Sequence, residues 1–191
     1  MAESTREYLT SQELQNLART ECRFPKLKRA FLFSALTGIR WSDINKLKWK
    51  EVRDEGNNHL GKQLYRIVFK QKKTDGVEFL YISNQARDLL GERQKPEDSV
   101  FKGLSYSAHM NIQLLKWCMH AGITKHITFH SARHTNAVLL LENGADIYTV
   151  SKRLGHREVR TTQIYAKIID EKMKQAADML PKLNLETMEL P

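Results

Sequence analysis

Two glycines fix the layout of the stretch from His130 to Tyr165, and with it what the chain can become. In HSARHTNAVLLLENGADIYTVSKRLGHREVRTTQIY, Gly144 falls where a helix beginning near His130 needs a left-handed residue just past its end. Asp146 then stands as the N-cap of a second helix whose apolar face is Ile147, Val150 and Leu154, and Gly155 ends that helix in turn. His156 emerges directly at the break, and a third short helix carries Thr161 and Thr162 toward Tyr165. His130 and Arg133, at i and i+3, share one helix face and can converge on one anion. The pattern predicts polar, catalytic-type side chains at helix ends with aliphatic stripes between them, a site carried on a rigid scaffold.

A zinc site is the competing reading, with His130 and His134 at i and i+4 and His126 extending the face. No Glu follows His130, no Cys lies nearby, and Arg133 would put a positive charge inside the metal's shell. No metal and no other cofactor is therefore expected. Taken singly, His-x-x-Arg reads as a capped surface pair and Tyr165 as a core tyrosine. The ordered set H-x-x-R-H, then L-G-H, then a tyrosine at a short distance is much more specific than any part.

With those motifs in view, the chain resembles the tyrosine recombinase (phage integrase) family. The resemblance is carried by TGIRWSDI around Arg40, the lysine-bearing KKTDGV, HSARH, LGH and QIYAK, and it runs from YLTSQEL to the helix after Tyr165. Ala132 stands where the family usually has Leu, a departure that touches packing rather than chemistry. The HSARHTNAVLLLENG and VSKRLGH segments look closest to integrases of bacterial mobile elements such as conjugative transposons and phages.

Composition agrees. Lys and Arg number 31 against 22 Asp and Glu, a net charge of +9 that suits a polyanionic partner. Two cysteines, Cys22 and Cys118, set no disulfide framework, so a reducing cytosol is the expected compartment. The sequence shows no N-terminal h-region and no apolar run of membrane-spanning length. A bacterial cytoplasmic, nucleoid-associated protein is expected, with no membrane partner.

The 191 residues are enough for one domain with a sound core. We read residues 1–9 as a frayed leader, 10–180 as the catalytic core and 181–191 as a tail that either docks on a neighbouring protomer, as the family implies, or is disordered. Thr10-Ser11-Gln12-Glu13 is a capping box opening a helix through about Arg19. A largely buried helix starts at Pro25 and ends at Gly38, with Arg40 in the turn, and Trp41, Ile44 and Leu47 mark a short amphipathic helix. Strand signals at Trp49–Val52, Leu64–Phe69 and Val77–Ile82 predict a three-stranded antiparallel meander turning at DEGNNHLG and KKTDG. Helices follow at Ser83–Leu90, with Asn84 as its cap, and at Ser105–Met119, and a last amphipathic helix lies beyond Tyr165. The predicted fold is mainly α with a small three-stranded antiparallel sheet, the tyrosine recombinase catalytic-domain fold.

The family resemblance assigns roles to these positions. It implies Arg40 and Arg133 as clamps on the attacked phosphate, His156 as a further donor to it, and Tyr165 as the nucleophile. His130 is the expected proton acceptor, and Lys73 on the hairpin protonates the departing 5′ oxygen, with Lys72 the near alternative. Asp43 and His134 are expected to orient the site, and Lys70, Lys72, Arg153 and Arg157 to contact DNA. The implied product is a 3′-phosphotyrosine with a free 5′ hydroxyl, resealed by a second DNA end without metal or ATP. Partners implied are double-stranded DNA, other protomers in a synaptic assembly (a tetramer on DNA, a monomer in isolation) and accessory DNA-bending or directionality factors. Family members usually carry a smaller helical domain ahead of this one. The sequence begins at the catalytic domain's own leader, so it reads as a fragment of a longer integrase or as a short invertase of the fimbrial-switch type. Type IB topoisomerase-like relaxation and a non-catalytic DNA-binding module are the alternative functions.

Overall fold

The computed structural model describes residues 7–70, 77–156 and 158–165. Elements run in the order α1 (Ser11–Arg19), α2 (Pro25–Thr37), α3 (Trp41–Ile44), β1 (Val52–Asn57), β2 (Gln63–Lys70), β3 (Val77–Ile82), α4 (Asn84–Asp88), α5 (Ala108–His120), α6 (Phe129–Glu142) and α7 (Ile147–Arg153). A 3-10 turn at Val159–Tyr165 follows. The architecture is the expected one, helical with one three-stranded antiparallel sheet in the order β1-β2-β3.

The capping box of α1 forms as its sequence dictates. Thr10 accepts from the Glu13 amide at 3.2 Å while Glu13 accepts from the Thr10 amide at 2.7 Å. Gly38 ends α2 at φ +75°, the left-handed cap that residues with a Cβ adopt only under strain. No room exists there for a Cβ either: one built on Gly38 would stand 2.7 Å from Leu154 Cδ2 and 2.8 Å from Asn136 Oδ1.

α2 and α6 form the principal helix–helix contact. Phe31 meets Phe129 edge-on at 5.7 Å and Trp117 of α5 at 5.9 Å, and Trp41 of α3 packs on Phe129 at 4.8 Å. Ala132 is fully buried in this main core. A second cluster of Ala137, Val138, Leu141, Val150, Leu154 and Tyr165 joins α6, α7 and the last 3-10 turn, with Tyr8 packed against it.

Four of the boundaries read in the sequence differ in the structure. Trp49 opens no strand: Trp49–Glu51 is a 3-10 turn, closed by the Lys48 amide donating to Glu51 at 2.7 Å, and it sinks Trp49 into the core. The first strand instead runs through Asn57, into the segment read as a turn, with an irregularity between Asp54 and Asn57. The other two are caps: the Ser83 side chain, not Asn84, caps α4, and Ser107 caps α5, whose start therefore lies later than Ser105. The KKTDG turn with Lys72 and Lys73, together with Arg157, the final helix and the tail, lies outside the described residues. No helix among the described residues is long and apolar enough to cross a membrane.

Candidate active site

Arg133 is the hub of the site. It projects from α6 into the junction of two helix ends and is 6 % exposed. Its Nη1 donates to the carbonyl of Gly38, at the end of α2, at 2.6 Å, and its Nη2 donates to the carbonyl of Leu154, the C-cap of α7. A buried charge needs compensation. Here the negative ends of two helix dipoles supply it. A guanidinium has five N–H donors, so binding two carbonyls leaves others for an anion. Burial, with the like charge of Arg40 second, draws the guanidinium down to about 9, while Tyr165 and Asp43 act in the opposite direction.

Arg40 arrives by a separate route. The turn after Gly38 makes it the N-cap of α3, half-buried beside Asp43. Trp41 locks α3 onto Phe129, the first residue of α6, which fixes Arg40 relative to the helix that carries Arg133. A small cleft results, lined by Arg40, Asp43, Arg133, Lys152, Arg153 and Phe79 among others. Arg153 donates to the carbonyl of Tyr81 at 3.1 Å, tying α7 to β3, and its burial lowers its proton affinity.

Tyr165 closes the arrangement from the far end of the sequence. The 3-10 turn folds back so that its ring enters the second core cluster and its hydroxyl lies 2.5 Å from His134 Nδ1. His130 stands on the exposed side of α6, and its ring meets His134 edge-on at 4.6 Å. His156 turns back toward the same 3-10 segment, its Nδ1 at 2.9 Å from the hydroxyl of buried Thr162. Arg40, Asp43, Arg133 and Arg153 are thus gathered at one cleft, and His130, His134 and Tyr165 form one chain of contacts. Lys70 is placed in β2 by its backbone. Among the described residues no group of three His, Cys, Asp or Glu is arranged to hold a metal ion.

Two cleft residues were not anticipated from the sequence, Phe79 and Lys152. Strand alternation was the available signal for Phe79, because Leu80 and Ile82 take the buried face and leave Phe79 and Tyr81 outward. A larger cleft of ≈ 520 Å³ lies elsewhere, against β1, and includes Arg53, Arg87 and Arg93. Two of these arginines are engaged structurally: Arg93 donates to the Val52 and Trp49 carbonyls, and Arg87 donates to Gly91 while lying over Trp49.

Residues 7–172 match the sequence model described as the phage integrase family. A tyrosine recombinase XerD from Halalkalibacterium halodurans is 34% identical over 145 residues, which are 74% of this chain and 46% of that protein. The chain spans about half the length of the curated relatives it matches over most of its own length. Among solved structures, the catalytic domain of bacteriophage HP1 integrase covers 96% of this chain and 98% of its own, at 21% identity and a TM-score of 0.61. A XerH site-specific recombinase bound to palindromic difH substrate superposes over 90% of this chain and 52% of its own, at 21% identity and a TM-score of 0.69.

Proposed function

Because the chain belongs to the phage integrase family, we propose that it is the catalytic part of a site-specific tyrosine recombinase, cutting and rejoining double-stranded DNA through a phosphotyrosine. The observation that carries this reading is the Tyr165 hydroxyl held by His134, one residue along α6 from the buried Arg133. Any buried tyrosine hydroxyl needs a hydrogen-bond partner; what supports a catalytic role here is that the partner is an ionisable imidazole adjacent to the buried Arg133.

The chemistry follows from the groups present. Arg133 and Arg40 bind the non-bridging oxygens of the attacked phosphate, where guanidinium forks match the anion and stabilise the charge that grows in the transition state. His156 adds a hydrogen bond, and Asp43 orients the arginines. Tyr165 Oη attacks phosphorus and the bond to the 5′ oxygen breaks. The phenolic proton passes to His134 Nδ1 in the tautomer that carries its own proton on Nε2, with His130 beside it as the acceptor in contact with solvent. Lys73, or its neighbour Lys72, delivers a proton to the departing 5′ oxygen. The phosphotyrosyl bond conserves the energy of the phosphodiester, so a 5′ hydroxyl from a second duplex can attack it and reseal. Lys70, Arg153 and Arg157 hold the DNA backbone. The reaction takes place in a bacterial cytoplasm on nucleoid DNA, within a tetramer of protomers assembled with accessory DNA-bending factors.

The test is a covalent trap with nicked duplexes from the ends of the protein's own element, in EDTA. A denaturation-resistant adduct that maps to Tyr165 and disappears in Tyr165→Phe and Arg133→Ala is the expected outcome. DNA binding without any adduct, in a chain extended to the length of its relatives, would reduce the protein to a binding module. Supercoil relaxation without strand exchange would make it a topoisomerase-like enzyme.

A further inference from the structure

The outward face of the sheet carries a patch that the phosphate chemistry does not use. Residues paired across an antiparallel ladder point to the same side, and the register sets Tyr81 opposite Arg66 and Phe79 opposite Val68, with Arg53 opposite Arg66 on the next strand. Phe79 is 63 % and Tyr81 47 % exposed. Their rings meet edge-on at 6.4 Å, and the Arg66 guanidinium lies 5.9 Å from the Phe79 centroid.

β3 is an edge of the sheet among the described residues. Edge strands are ordinarily blunted by charge, because exposed apolar side chains there invite aggregation. This one places two aromatic rings in water, with Arg66, itself paired to Glu55 at 2.7 Å, over the Phe79 ring and Arg153 bonded to the Tyr81 carbonyl. Phe79 also lines the cleft of Arg40, Arg133 and Lys152, while Tyr81 is fastened to that cleft through the Arg153 bond to its carbonyl. Phe79 therefore stands at the cleft itself, and the strand is tied beside it through the Tyr81 backbone carbonyl.

We propose that Phe79 and Tyr81 are DNA-positioning residues, which pack against the deoxyribose rings flanking the attacked phosphate while the surrounding arginines and lysine take its charge. The inference rests on the recombinase reading and adds the contact that sets where along the strand the cleft engages. Duplex DNA fits the patch because it offers apolar sugar faces and regularly spaced phosphates within one residue's reach of each other. Base faces in an intact duplex are stacked and unavailable, whereas sugar faces line the groove walls.

The experiment measures duplex affinity across a salt series for the parent, for Phe79→Ala/Tyr81→Ala together, for Arg153→Gln, and for Leu60→Ala. Leu60, 78 % exposed in the turn between β1 and β2, controls for loss of a generally sticky surface. The double substitution is expected to raise Kd by roughly tenfold, the order expected when two aromatic side chains lose a modest apolar contact area with the sugars. Its plot of log K against log salt should keep the parental slope, since no phosphate contact is lost. Arg153→Gln should flatten that slope, and Leu60→Ala should change neither quantity. Circular dichroism and melting of the double variant should match the parent, both side chains being outside the core.

Parental affinity in the double variant would overturn the inference and leave the recombinase reading standing if the parent still binds steeply with salt. A parent that binds no duplex overturns both. If sedimentation shows the double substitution dissociating a self-associated protein while DNA affinity is unchanged, the face belongs to a second copy of the chain and the inference fails.

Discussion

An imidazole nitrogen 2.5 Å from a phenolic oxygen is placed to receive its proton, and a tyrosine needs such help because its hydroxyl ordinarily titrates near pH 10. His134→Ala is expected to slow adduct formation by about a hundredfold while duplex affinity stays within about twofold, the scale of losing a positioned acid–base group. His134→Asn, whose amide oxygen can accept a hydrogen bond from the phenol but cannot take its proton, should stay as slow as His134→Ala. Parental single-turnover rates in His134→Ala would remove His134 from the reaction. Arg133 supports a second prediction, through its lowered proton affinity. The free protein begins to lose that proton at about 9, whereas a bound phosphate favours the charged form, so DNA binding at pH 9 takes up protons that binding at pH 7 does not. Calorimetry in buffers of different ionisation enthalpy reads this uptake, and Arg133→Gln should abolish it; undiminished uptake in that variant would assign it to another group. Folding has the matching sign. The unfolded chain holds this proton to higher pH than the folded one, so Arg133 contributes stability that grows as pH climbs above about 9 toward the ordinary guanidinium value.

At the scale of elements, the ends of α2 and α7 are where fold and site coincide. Asn136 donates to the Ala35 carbonyl at 2.9 Å and Arg133 to that of Gly38, so α6 caps the last turn of α2 with two side chains about one helical turn apart. Gly38→Ala would add both a positive-φ penalty and a clash with Leu154 and Asn136. It is expected to cost about 2–4 kcal/mol, measured by chemical denaturation, and to weaken DNA binding through displacement of Arg133. A loss under about 1 kcal/mol would mean that the junction is softer than its packing indicates. Much of this level was legible beforehand: Thr10 with Glu13, Gly38, Gly144 and Asp146 mark helix ends by local chemistry, and their caps form where the letters place them. What escaped depended on tertiary contact. Trp49 has strand propensity, yet burial against the core winds it into a 3-10 turn. Which histidine meets Tyr165 depends on how the segment after Gly155 folds back, a matter of packing rather than of spacing. Phe79 went unread because alternation shows which residues face outward, not what stands beside them.

For the whole molecule, the surplus of +9 is expected to govern affinity more than any single side chain does. Each phosphate neutralised releases counterions, so Kd should rise at least about a hundredfold between roughly 50 and 200 mM salt. A flat dependence, read by fluorescence anisotropy, would contradict the assignment of a charged DNA-binding face. Length and composition could not have distinguished this chain from other basic domains; the ordered motif did, through the fold it implies.

The segment ahead of α1 is pinned at the same place as Tyr165. The Leu9 amide donates to Thr135, the residue after His134, at 2.9 Å, and Lys125 grips the Tyr8 carbonyl at 3.0 Å while Tyr8 lies on the cluster that holds the Tyr165 ring. Load applied through a bead or surface tether joined ahead of Tyr8 would therefore bear first on the seat of the tyrosine. In an optical trap, a protein held from that side should fall silent at forces that leave the sheet and α5 intact, while one held through the surface of α5 keeps working.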